Sequence, residues 1–138
     1  MITEKYSHLK IELLKGDYKY VLFSERASFK KAFESLALQQ VDFCSFCFKG
    51  EYSLICSTDL DMEDTSKIQK GWSAMRIVGD MPFGSVQGLI ANISSSLYKD
   101  NLGVCIISTF QTDIFFLKKE NVSKAKETLS ACGWEILE

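Results

Sequence analysis

The stretch from Trp72 to Leu137 constrains this chain most, because its apolar spacing switches between strand and helix periods in one definite order. Ser73–Val78 reads as a strand. The loop Gly79-Asp80-Met81-Pro82-Phe83-Gly84 holds the only proline, and Ser85 is placed to cap a helix in which Val86, Leu89, Ile90, Ile93 and Leu97 recur at helical spacing. Lys99-Asp100-Asn101 and Gly103 end that helix. Val104–Ile107 is an apolar strand, Ser108–Thr112 carries it to a bend, and Ile114–Leu117 is the next strand. Asn121 opens a second helix with Val122, Ala125 and Leu129 inside, Gly133 closes it, and Trp134–Leu137 is the last strand. The order β-α-β-β-α-β predicts an α+β fold, an open antiparallel sheet with both helices on one face.

The first half is less regular. Leu9, Ile11 and Leu13 alternate with Lys10 and Glu12, as in a half-buried strand. Lys15-Gly16-Asp17 supplies a turn into the alternating run Tyr18–Phe23, which predicts a short hairpin. Ser28 is a candidate cap for a helix carrying Phe29, Ala32, Phe33 and Leu36 on one face. Val41–Phe48 and Tyr52–Cys56 read as strands around Lys49-Gly50-Glu51. Asp59–Gly71 is acidic first, basic later and without periodicity, so it reads as the connection between two halves. It is no EF-hand loop, lacking the central glycine and the terminal glutamate.

Composition removes several classes of function. With 46% hydrophobic and 25% charged residues the chain has an ordinary globular balance rather than that of a disordered one. A net charge of -2 and short lysine clusters leave no nucleic-acid surface. No apolar run reaches the length of a membrane helix, and the first residues lack a signal-peptide core, so the expected location is cytoplasmic. The five cysteines then read as reduced thiols.

No catalytic constellation is visible. Cys44-x-x-Cys47 lies in the strand-like run Phe43–Phe48, where residues three apart face opposite sides of a sheet and cannot converge on one metal. His8 stands alone, far from any second ligand or positioned partner. Ser94-Ser95-Ser96 sits on a helix without a nucleophile elbow, and neither a Walker motif nor a dinucleotide fingerprint occurs. A thiol enzyme working through Cys56 or Cys105 would need a base that the sequence does not place beside either. The expectation is a non-enzyme with neither metal nor cofactor.

Two features have binding chemistry. At Phe83-Gly84-Ser85-Val86-Gln87-Gly88 a helix begins, and its unpaired N–H groups and positive dipole end suit a carboxylate, although a plain capped turn has the same residues. At Ser108-Thr109-Phe110-Gln111-Thr112-Asp113, Asp113 is placed to accept an ammonium group with hydroxyls beside it, although an acid stabilising a polar bend has the same pattern. A βαββαβ fold brings both toward one edge, which suits an amino-acid-shaped ligand.

These strings also carry a family resemblance. Trp72-Ser73-Ala74-Met75-Arg76-Ile77-Val78-Gly79, the helix near Gly88-Leu89 and above all Ile107-Ser108-Thr109-Phe110-Gln111-Thr112-Asp113 resemble the small bacterial ACT-domain proteins. Glu51-Tyr52-Ser53-Leu54-Ile55-Cys56 resembles the strand that ends that family's N-terminal half. The resemblance implies a ferredoxin-like, ACT-type βαββαβ fold in two tandem halves, an incomplete one over 1–65 and an ACT domain over 66–138. The family includes the ACT modules of CASTOR-type arginine sensors. By position, Thr109, Phe110 and Asp113, with Ser85, Val86, Gln87 and Gly88, are then the expected ligand contacts. The implied function is regulatory and non-catalytic, sensing a free amino acid or similar zwitterion, as a homodimer. The alternative is a protein-interaction module that has lost its ligand.

Overall fold

The computed structural model describes residues 6–81 and 87–138, in two compact units. One comprises the described residues up to Lys15 together with Trp72–Glu138, the other Gly16–Gly71.

In the first unit the elements are β1 (Lys10–Leu13), the later part of β5 (Lys67–Val78), α2 (Leu89–Lys99), β6 (Cys105–Ser108), β7 (Asp113–Lys118), α3 (Val122–Ala131) and β8 (Ile136–Leu137). From β5 onward this is the expected βαββαβ order. Leu89, Ile93 and Leu97 of α2 and Ala125 and Leu129 of α3 pack on Met75, Ile77, Phe115 and Leu117, the buried face of the sheet. α2 starts at Leu89 because Gly88, at φ 78°, serves as its N-cap and its carbonyl accepts the N–H of Asn92. Asn101, left-handed at φ 63°, ends it, rather than Gly103. α3 stops where expected: Gly133 turns at φ 101° and the Trp134 N–H reaches back to the Leu129 carbonyl.

The strand order is β6-β7-β5-β1-β8. Along β6-β7-β5-β1 each strand is antiparallel to its neighbour, whereas β1 and β8 are parallel. The expected hairpin of Leu9–Leu13 with Tyr18–Phe23 does not form. β1 instead lies between β5 and β8, Leu13 opposite Met75 and Ile11 opposite Ile136. Burial explains the choice. Leu9 and Ile11 are almost wholly enclosed there, in the same cluster as Met75, Ile77 and Phe115.

In the second unit β2 (Tyr18–Phe23), α1 (Arg26–Gln39), β3 (Phe43–Phe48) and β4 (Glu51–Ser57) form an antiparallel order β3-β4-β2. Lys19, Val21 and Phe23 alternate inward on β2. Phe29 and Leu36 of α1 meet Val21, Phe23, Leu54 and Cys56, and the Phe29 ring lies 5.7 Å from that of Tyr52. Ser28 falls inside the first turn of α1, and Glu25 occupies the cap position. The expected connection is shorter than its composition implied, since β5 begins at Lys67 and the Ser66 N–H already bonds the Leu22 carbonyl. Lys67–Lys70 are exposed, so the apolar alternation that marks a half-buried strand is absent there.

Candidate functional site

β5 and the β6–β7 hairpin frame a pocket of about 500 Å³, within the ordinary range for small-molecule sites. One wall runs from Arg76 through Gly79 and Asp80 to Met81, the other from Thr109 to Thr112. Both walls are tied down locally. The Thr109 Oγ1 accepts the backbone N–H of Thr112 at 3.0 Å and donates to its carbonyl at 3.1 Å, closing the hairpin tip. The Thr112 hydroxyl donates to the Ile77 carbonyl at 2.5 Å, which fixes the tip to the end of β5. The His8 Nε2 lies 2.9 Å from the Asp80 carbonyl.

Of the expected contacts, Thr109 and Phe110 line this pocket, and Phe110 is 77% exposed. Asp113 is buried and accepts the Ser108 hydroxyl at 2.6 Å on Oδ1. It shares strand parity with Phe115 and Leu117 and so points to the helix-covered side of the sheet. Gln87 and Gly88 stand at the start of α2. The Gln87 carbonyl accepts the Tyr6 hydroxyl at 2.5 Å, and a Cβ at Gly88 would meet that hydroxyl at 3.1 Å. Ser85 and Val86 lie outside the described residues. Arg76, which sequence reasoning passed over, lines the pocket and donates its Nε–H to Glu12 Oε1 at 2.6 Å. Arg76 and Glu12 are cross-strand partners 64 residues apart, a juxtaposition that no local pattern announces.

The thiols are dispersed. Cys44 and Cys47 stand opposite Ile55 and Tyr52 on β4, on alternate faces of β3. Cys56 is enclosed in the core of its unit, and Cys47 and Cys105 are exposed. Burial pushes the Cys56 thiol up, opposed by the nearby Lys19 ammonium. Burial also raises Cys44 and Tyr18, with Asp42 adding to both. Each of these groups is held in its neutral form by the fold. The stability they contribute is complete below their ordinary values, 9.0 for the thiols and 10.0 for the phenol, and is lost as pH rises through the raised folded values. Denaturant midpoints should therefore fall progressively once pH passes 9.0. A thiol reagent should modify Cys47 and Cys105 rapidly in the native protein and Cys56 only on unfolding, as mass spectrometry of labelled peptides would report.

An open sheet covered on one face by two helices, in βαββαβ order with an added strand, defines a ferredoxin-like α+β domain. Residues 67–131 match the model of the ACT domain family. ACT domains are regulatory small-molecule-binding modules. No curated protein matches the chain significantly in sequence. Among solved structures, a protein of Agrobacterium tumefaciens is similar with a TM-score of 0.77 at 22% identity, over 94% of this chain and 92% of its own. A Vibrio cholerae protein of unknown function, described as a possible transport protein, gives 0.65 at 19% identity over 91% and 90%. The ligand-free regulatory subunit of aspartate kinase from Thermus thermophilus gives 0.63 at 10% identity over 89% and 97%. At these identities the likeness is one of fold. No described helix is long and apolar enough to cross a membrane.

Proposed function

We propose that this protein is a non-catalytic regulator that binds a free amino acid or a similar small zwitterion in the pocket between the end of β5 and the β6–β7 hairpin. The carrying observation is the coincidence of that pocket with Thr109 and Phe110, the hairpin residues expected to meet a ligand. The similar aspartate kinase subunit is itself a regulatory one. In this reading Phe110 covers the ligand and Thr109 holds the tip in shape. Asp113 acts through Ser108, at the base of the same hairpin, and Gln87 and Gly88 set the start of α2. A homodimer and a cytoplasmic site of action complete the proposal. The dimer draws on β3, an edge strand of its sheet whose sequence Phe-Cys-Ser-Phe-Cys-Phe has none of the charges or prolines that discourage pairing.

Thermal shift with each of the twenty amino acids tests the binding. A true ligand at a hundred times its Kd adds about 2.7 kcal/mol to the stability of the folded state. Phe110→Ala should abolish that shift while leaving the unliganded melting temperature in place, because the side chain is exposed. No response to any amino acid at millimolar concentration would count against the reading. The interaction-module alternative would then gain, and a protein partner captured without ligand would favour it. Light scattering on purified protein reads the dimer directly, and a monomer at high micromolar concentration would remove it.

A further inference from the structure

We propose that Arg76 is the carboxylate anchor of this pocket and that Glu12 positions its guanidinium. This rests on reading the pocket as a small-molecule site. Strand alternation sends Met75 and Ile77 into the core and Arg76 to the opposite face, where it is exposed. Glu12 stands directly across on β1 and takes the Nε–H at 2.6 Å. A guanidinium carries five N–H donors in a fixed fork, and this bond uses one of them. Among the described residues Glu12 is the carboxylate paired with Arg76, and Arg76 is the cation among the described lining residues of the pocket. The fork's remaining donors match a carboxylate in geometry and charge, as a lysine would not.

The surroundings suit that chemistry. The neighbouring wall runs through Gly79 and the acidic Asp80, which leaves Arg76 as the group there that suits an acid, and Phe110 is an exposed apolar ring in the same lining. The ligand class is therefore a small carboxylate with an apolar body, its acid group on Arg76 and its body toward Phe110. A purely structural cross-strand ion pair would place the same two residues opposite one another. The two roles separate by experiment, because an anchor distinguishes an acid from its amide and a structural pair does not.

The test uses the full chain. Each amino acid that shifts the melting temperature of the wild type is compared with its own carboxamide by calorimetry. The comparison is repeated in Arg76→Gln, Arg76→Lys and Glu12→Gln. The amide should bind the wild type about 10- to 100-fold more weakly than the acid, the scale of losing charge-assisted hydrogen bonds. Arg76→Gln should weaken the acid by a similar factor and leave the amide unchanged. Arg76→Lys should recover part of the loss. Glu12→Gln should weaken the acid and spare the amide, whereas a structural role would weaken both alike and overturn the assignment of Glu12. Equal binding of acid and amide by the wild type would overturn the anchor while leaving the small-molecule reading intact, and that comparison needs no variant to fold. Undiminished acid binding in Arg76→Gln would do the same. No binding of any amino acid would overturn both.

Discussion

Phe115→Ala is expected to lower the stability of the folded chain by about 3–5 kcal/mol, the usual cost of emptying a phenylalanine site in a packed core. Phe115 has no exposed surface. It sits in the middle of β7, with Met75 of β5 on one side and Ile106 of β6 on the other. Its side chain belongs to the cluster that α2 and α3 cover. Both helices would therefore lose contacts, and the cavity would lie where the sheet and the helix layer meet. Domains of this size are stable by only about 5–15 kcal/mol, so the variant should be poorly folded at body temperature. Phe110→Ala, five residues away, should change stability by less than about 0.5 kcal/mol, as exposed substitutions do. Urea denaturation of the two variants makes the comparison. A loss below about 1 kcal/mol for Phe115→Ala would mean that the site collapses around the deletion and that β7 is not the centre of its core.

The contrast between the two phenylalanines also shows which parts of this molecule were legible in its sequence. Leu89, Ile93 and Leu97 repeat at helical spacing and do face the sheet, and Ala125 and Leu129 do the same in α3. Gly133 is a stop because the backbone there is left-handed. Such features are local, so they survive in a single sequence. The partner of β1 is not local. The alternation of Leu9, Ile11 and Leu13 says that one face is buried without saying against which strand, and the Lys15-Gly16-Asp17 turn pointed to the wrong neighbour. The site divides along the same line. The hairpin tip at Thr109 and Phe110 was visible as a small polar bend between apolar strands. Asp113 looked like an acid facing a ligand, yet it continues the parity of Phe115 and Leu117, and counting by twos along β7 places it on the buried side. Arg76 is a lone charge between the apolar Met75 and Ile77 and has no local signal, since what gives it meaning is Glu12 across the sheet.

Gly79→Ala should be costly for stability and for the pocket together. Gly79 adopts φ 126°, in the region where side chains strain the backbone. A Cβ there would stand 2.9 Å from Leu9 Cδ2 and 3.0 Å from the His8 carbonyl oxygen. Leu9 is almost wholly buried and the second neighbour is backbone, so neither can swing aside. Overpacking and backbone strain each cost about 1–3 kcal/mol, so a combined loss of about 2–5 kcal/mol is expected. Gly16→Ala separates the two contributions. Its φ is 96°, and an added Cβ there meets nothing within 4 Å, so it carries the strain alone. The consequences reach the pocket because Gly79 lies in its wall and the next residue, Asp80, is held to His8. Relieving the clash moves the segment that carries His8 and Leu9 away from Gly79, and with it the bond that fixes the Asp80 carbonyl. Gly79→Ala should therefore weaken any ligand-induced thermal shift more than Gly16→Ala does, even at temperatures where both variants are folded. Equal effects of the two substitutions, on melting temperature and on ligand response alike, would show that the close approach of Gly79 to β1 neither holds the fold nor shapes the pocket.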